Sequence, residues 1–395
     1  MSEPEVAGAE ERHASWLELF FDLVAVAGIG MLAHLLVSDT SAGGIGVYVI
    51  AYTAIWMIWA CFTLYSNVAG QEAHVGLILG AMFVLGVMTA AVPEIHDEHA
   101  RAFAIAYVVG RFLAGRPWQR ATVVTDLPIV QTGGGIVPWV VSFWFEGTAQ
   151  YALWALGLTI DLWFLVSTSK DRLVASTQER LDRVRSSRRG RNRGRAEQVP
   201  ATIETVDADV PHLGERLGLF VLIVLGEGLV QIIDAASEAE WNRPLAVTGA
   251  GAFALMFGLW AVAVRFGYAG VALLPDRGLS PRLSWPAHLL ATLGLATVAA
   301  VLGGLVAAPH EDVGDRVRWI LVVAYGGYAL LSAGIHLAHG RVPVAACLAV
   351  PMVAAAAVAA VPGGLDAEAV VWVLVAGVVV ALSAHDRLAR SSAPA

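Results

Sequence analysis

Three carboxylates sit in apolar surroundings where water cannot solvate them. Glu18 and Asp22 lie inside Trp16-Leu17-Glu18-Leu19-Phe20-Phe21-Asp22-Leu23-Val24, at the head of an apolar run that continues to Leu36. Glu227 lies inside Leu225-Gly226-Glu227-Gly228-Leu229, again within an apolar run. A carboxylate within a bilayer-spanning helix must be protonated, paired or bound to a cation. The chemistry open to these groups is therefore proton or cation binding, or ion pairing with a buried Arg. Glu18 and Asp22 are spaced i, i+4 and share one helix face, where two negative charges repel. Glu18 has a structural reading too, since Ser15-Trp16-Leu17-Glu18 has the S-x-x-E spacing of a capping box, and the helix dipole favours an acid there. Asp22 is about 10 Å along the axis from Ser15 and gets no such help. Glu227 is about 18 Å along the helix from Glu215, near the bilayer centre, and its flanking glycines admit a neighbouring helix. A neutral Glu227 bonded to a neighbouring backbone is the simpler alternative.

The elements that position these groups are membrane helices. The 395 residues are 57% hydrophobic and only 15% charged, against about 25% charged in a soluble globular protein. With a mean hydropathy of +0.66, the chain reads as an integral membrane protein, and the lipid bilayer is its first partner. The net charge of −8 says little about partners. Cys61 and Cys347 both lie in apolar runs, so no disulfide framework is expected. The acidic start Met1–Ala14 and the length of the first apolar run argue against a cleavable signal peptide. Apolar runs near 16–36, 45–66, 73–92, 102–115, 128–145, 148–167, 214–233, 245–268, 286–308, 317–338, 342–361 and 368–384 predict an all-α, polytopic transmembrane bundle of about twelve spans. The fifth run holds Gly133-Gly134-Gly135 between Pro128 and Pro138. It reads either as a broken or re-entrant segment or as a long loop feeding a shorter span.

Arg placement sets the orientation. Residues 170–195 carry Lys170, Arg172, Arg180, Arg183, Arg185, Arg188, Arg189, Arg191, Arg193 and Arg195, which the positive-inside rule places in the cytoplasm. Arg111, Arg116, Arg120, Arg277, Arg282, Arg341, Arg387 and Arg390 then fall on the inside, and the predicted outer loops are acidic. Arg101, Arg243, Arg316 and Arg318 are the exceptions. The expected organisation is a cytoplasmic segment 1–15, a first transmembrane half 16–167, an Arg-rich and disordered cytoplasmic loop 168–211, a second half 212–385, and a cytoplasmic tail 386–395. Both termini are inside. Each half opens on a polar helix start, at His13 and at His212, as parallel repeats in transporters do. The loop lacks the interleaved aromatics that stack on bases, so no nucleic acid partner is expected.

Counting residues from the span ends places Asp22, Arg111, Asp161, Glu215 and Arg216 in one inner layer, with Tyr107 one turn before Arg111 and Glu227 deeper. Arg111 and Arg216 supply positive charge to neutralise some of these acids; a purely structural ion-pair network is the alternative. No phosphate-binding loop, nucleophile elbow, HExxH or Cys-rich zinc pattern is present, so no metal or cofactor is assigned. The leading expectation is proton- or cation-coupled transport of a small solute, with Asp22 and Glu227 as binding groups. A non-catalytic scaffold and a membrane enzyme acting on a lipid or lipid-linked substrate are the alternatives; the missing nucleophile–base pair weighs against the enzyme. A wet cavity reaching Asp22 and Glu227 would favour transport, and a dry, fully paired cluster the scaffold.

Glu18-Leu19-Phe20-Phe21-Asp22-Leu23-Val24 and Glu215-Arg216-Leu217-Gly218-Leu219-Phe220, followed by Leu225-Gly226-Glu227, resemble the motifs of the bacterial low temperature requirement A family. Tyr107 and Arg111 look like that family's Y-x-x-x-R. Ala25 stands where a Phe is usual, and Val262–Gly267 lacks the expected aromatic-rich, acid-ended pattern. The resemblance implies a bacterial membrane protein linked to growth in the cold, and implies no particular chemistry.

Overall fold

Polar residues mark where the helices begin. Ser15, Ser41, Asp209 and Asn242 each turn a side-chain oxygen onto the amide three residues on, at Glu18, Gly44, His212 and Leu245. Each such cap is worth about 1 kcal/mol. The computed structural model describes residues 13–120, 123–124, 133–168, 175, 178–179, 204–205, 208–266, 281–362 and 365–391. In chain order the helices are α1 (Trp16–Ser38), α2 (Ala42–Ala69), α3 (Val75–Ala91), α4 (Ala100–Arg120), α5 (Ile136–Val141), α6 (Gly147–Ser167), α7 (Val210–Glu238), α8 (Arg243–Arg265), α9 (Pro281–Ala307), α10 (Asp315–Ala338), α11 (Val342–Ala360) and α12 (Ala367–Ser391). Among the described residues, β structure is limited to a two-residue parallel pairing of Val123–Val124 with Glu204–Thr205 and an isolated bridge between Asp312 and Asp366.

Nine of the described helices, α1, α2 and α6 to α12, are long and apolar enough to cross a bilayer. The protein is a multi-pass helical membrane protein. Helix α3 is apolar but has only 17 residues, and α4 carries Arg101, Arg111, Arg116 and Arg120. The fifth apolar run does not form a continuous span in its described part. Helix α5 has six residues, about 9 Å against a hydrocarbon core of about 30 Å. It continues into a 3₁₀ turn at Ser142–Trp144. Residues 125–132, and most of the Arg-rich loop expected at 168–211, lie outside the described residues.

Helix α2 is the centre of the first half and also packs on α7 and α9 of the second. Every residue from Ala51 to Asn67 is buried, the pattern of a helix that is apolar on all sides. Around it the two halves pack in the same order. Helix α1 lies on α2 and α3, α3 on α4, α5 on α6, and α6 on α2. Correspondingly, α7 lies on α8 and α9, α9 on α10, α11 on α12, and α12 on α8. The α2–α4 packing has no counterpart of similar extent between α8 and α10. The halves meet where α1 lies against α7 and α9. Helix α10 contains one π turn, Val322–Gly326.

The short α5 is held against α6 by the absence of side chains. A Cβ at Gly157 would lie 2.5 Å from both the Gly135 carbonyl oxygen and Trp139 Cδ1. Gly157→Val is therefore expected to push α5 off α6 and destabilise the protein by about 1–3 kcal/mol. Gly249→Ala, where a Cβ meets open space, is expected to stay within about 0.5 kcal/mol. Thermal unfolding of the detergent-purified variants reads both, and equal midpoints would show that α5 does not rest on α6.

Candidate functional site

The first ionic centre joins the two halves. Arg216 on α7 grips Asp22 on α1 with two bonds, Nε to Oδ2 at 3.1 Å and Nη2 to Oδ1 at 2.6 Å. Its Nη1 donates to Ser66 Oγ at 3.2 Å and lies 3.1 Å from Glu18 Oε1. Trp59 Nε1 donates to Asp22 Oδ1 at 2.7 Å. Asp22 and Arg216 are both 0% exposed, so the pairing and the donated hydrogen bonds replace water entirely. The capping box is present, with Glu18 Oε2 accepting from the Ser15 amide at 2.9 Å and from its hydroxyl at 2.8 Å. Glu18 also serves the ionic centre through its other oxygen, which lies 3.2 Å from His212 Nε2. One carboxylate thus satisfies a helix start and a buried guanidinium.

An aromatic wall backs this centre. Trp59 stacks on His288 at 5.3 Å between centroids, and lies 4.0 Å from the Phe220 ring. Trp56 Nε1 donates to His288 Nδ1 at 3.0 Å, so Nδ1 is the acceptor nitrogen. The other nitrogen, Nε2, is 3.2 Å from the Leu217 carbonyl oxygen and must donate. These partners define a neutral His288 with its proton on Nε2. At the end of the same seam where α7 starts, Asn67 and Asp209 exchange hydrogen bonds, Asn67 Nδ2 to Asp209 O and Asp209 N to Asn67 Oδ1, both at 2.9 Å.

The second centre lies on the other side of α2. Arg111 on α4 donates from Nη2 to Asp161 Oδ2 at 3.1 Å and from Nη1 to Cys61 Sγ at 2.9 Å. Tyr107 lies beside this pair and stacks on Trp139 at 4.0 Å, which in turn stacks on Trp154 at 4.9 Å. Gly135 reaches the Asp161 carboxylate so closely that a Cβ there would collide with it. Trp59 and Cys61 are two residues apart on α2, about 200° around its axis, so they face the two centres from opposite sides.

The single inner layer expected from residue counting is thus two separate centres. Depth along a helix fixes height, not direction, so it did not separate Arg111 with Asp161 from Arg216 with Asp22. Glu215 joins neither. It accepts from the Ala14 amide at 3.2 Å and faces His13 at 3.6 Å, tethering the start of the described chain. Glu227 also stands apart, about 16 Å along α7 from Arg216. It is half-buried between the halves, above Gly30 of α1, with Gln231 one turn on and His34 nearby. Trp56, Trp59, Ser66 and His288 were not singled out from the sequence. The available signal was a ring nitrogen at His288 and two Trp at i, i+3, each inside an apolar run. Among the described residues no group of three or more His, Cys, Asp or Glu suits a metal ion.

Removing one partner of a buried ion pair typically costs about 3–5 kcal/mol, because the other charge is stranded. Asp22→Asn is expected to destabilise by that order, and the double change Asp22→Leu with Arg216→Met to restore only part of the loss, because Glu18 loses its guanidinium partner and the Trp59 indole its acceptor. Thermal unfolding in detergent measures this. An Asp22→Asn protein that melts like the wild type would remove the pair from the list of structural determinants.

A relative from Rhizobium meliloti (strain 1021), the uncharacterized protein RA0937, is 29% identical over 232 residues, covering 56% of this chain and 51% of its own length. The chain spans about half the length of that curated relative. No solved structure matches it. The family model described as bacterial low temperature requirement A protein (LtrA) matches residues 13–384, a stretch that holds both ionic centres and Glu227. The chain belongs to the bacterial low temperature requirement A family.

Proposed function

We propose that the protein is a proton- or cation-coupled carrier of a small solute in the bacterial inner membrane. Its two halves shift against each other along the α1–α7 seam. Glu227 carries this reading. It is a carboxylate deep in the bundle, half-buried, on the seam between the halves, with the neutral Gln231 as its near neighbour. Such a group suits exchange of a proton or cation with a path through the membrane. Asp22, in contrast, is fully buried and held by both Arg216 and Trp59. Its role in this reading is a latch at the inner end of the seam. The shared packing order of the halves supports an internal repeat of the kind carriers use. The Arg distribution supports cytoplasmic termini and about twelve crossings, counting α3, α4 and a broken fifth segment.

The dry pairing of Asp22 with Arg216 favours a second reading, a non-catalytic membrane scaffold in which both ionic centres fix packing alone. The two readings separate on Glu227. Proteoliposomes loaded with a pH-sensitive dye would be given a pH gradient and a pool of amino acids, sugars and organic acids. Solute-dependent proton entry is expected in the wild type, and its loss in Glu227→Gln at an unchanged melting temperature. Equal proton entry in Glu227→Gln and wild type would sink the carrier role for this residue. No solute-dependent entry in the wild type would favour the scaffold.

A further inference from the structure

A groove of about 610 Å³ runs between α2, α9 and α10, away from both ionic centres. It begins at Thr40 and Arg316, at the end of the bundle where α10 starts, and reaches Leu331. Asp315 and Leu331 both line it, about 24 Å apart along α10. Half of a hydrocarbon core is about 15 Å. Measured from its charged mouth, the groove is long enough for an acyl chain to run from headgroup level through about one leaflet.

The polarity changes along its length. In the shaft, Thr297 Oγ1 donates to the Leu293 carbonyl oxygen at 2.7 Å. Its 3.0 Å bond to Tyr48 must then have the Tyr48 hydroxyl as donor. Tyr328 turns its hydroxyl toward Ser332. Tyr48 and Thr297 have committed their protons within the protein and the other shaft residues apart from Tyr328 are apolar, so the shaft suits hydrocarbon and not a sugar or a peptide. The mouth is charged. Arg316 is exposed there, with Asp39 nearby. Hydrogen bonds from the Ser41 hydroxyl and amide, with His96 and then Arg316 adding smaller effects, hold the Asp39 carboxyl below its usual range. Asp315 is already paired with Arg318. A smaller adjoining depression shares Leu36 and Ile320 with the groove and carries the carboxylates of Glu311 and Asp312. Arg316 thus stands among three carboxylates, Asp39 near it and Glu311 and Asp312 in the adjoining depression, above an apolar channel, an arrangement of mixed charge that suits a headgroup with one phosphate and one amine.

We infer that this groove is a binding site for a zwitterionic, amine-bearing glycerophospholipid, with one acyl chain along α10, its phosphate at Arg316 and its ammonium toward Glu311 and Asp312. The site is separate from the seam at Glu227, and its test does not depend on transport. The π turn of α10 lies on the groove wall, where Val323 and Ala324 line it. Turns of this kind recur at functional positions because the extra residue opens the helix surface.

The probe is phosphatidylethanolamine with a diazirine on one acyl chain, added to the full-length protein in nanodiscs, cross-linked by light and mapped by mass spectrometry. Cross-links are expected to concentrate on Leu290–Thr297 and Trp319–Leu331. Gly327 lines the groove and a Cβ there meets open space, so Gly327→Phe should block it and abolish these cross-links. Gly334→Phe, open but outside the groove, should retain them. Val323→Trp blocks from the open side and serves if Gly327→Phe does not fold, as judged by its melting temperature. Arg316→Glu should weaken the site about tenfold, or about 1.4 kcal/mol. Cross-links spread evenly over the lipid-facing helices would overturn the site, as would labelling that persists in a folded blocking variant. Equal labelling by a diazirine diacylglycerol, which lacks the headgroup, would overturn the proposed recognition.

Discussion

A guanidinium that cannot lose its proton is buried beyond reach of water at Arg216, and much of the bundle is arranged to tolerate it. The charge demands carboxylates, which come from Asp22 and Glu18 on α1. Its remaining donor capacity reaches Ser66 on α2. Asp22 has a further lone pair to satisfy, which places Trp59, and Trp59 needs a flat, dry neighbour, which His288 on α9 provides. One cation on α7 thereby fixes the relative positions of α1, α2, α7 and α9, helices drawn from both halves of the chain. The interaction is specific because it is bidentate; a lysine would offer a point charge without the fork.

The sequence made part of this legible. The S-x-x-E spacing identified how α1 starts, and the intramembrane positions of Asp22 and Arg216 marked both as needing partners. What it withheld was azimuth. Residues known only by their height above a helix end can share a layer and still face away from one another, as Arg216 and Arg111 do across α2. The aromatic wall was hidden for a different reason: Trp and His within an apolar run contribute to hydropathy like any bulky residue, and only their ring nitrogens, once placed, distinguish them from packing. Glu18 was legible as a cap, but its second role needed the approach of a helix almost 200 residues away, which no local pattern contains. In the fifth apolar run the glycines and prolines signalled a break or a loop feeding a shorter span, and its described part forms only the six-residue α5 and a 3₁₀ turn.

The carboxylates now fall into two kinds. Asp22, Glu18 and Asp161 are each committed to a cation within the protein, whereas Glu227 has an amide neighbour and a glycine beneath it. Committed charges hold helices in register. Glu227 meets Gln231 in place of a cation, so it adds no ionic lock between the halves. The separation lies along a single helix, α7, which is anchored near its N-terminus by Arg216 and carries Glu227 about three turns further on.

Helix α2 has a mechanical consequence of its own. Trp59 contacts one ionic centre and Cys61 the other, from opposite flanks of a single rod. A rod cannot turn at one flank alone. Any rotation of α2 that withdraws the indole from Asp22 also sweeps the thiol away from Arg111, so the two centres are geared together through a shaft with no slack between residues 59 and 61. A disturbance at either centre that turns α2 reaches the other as a torque, without any intervening chain of side chains to relay it.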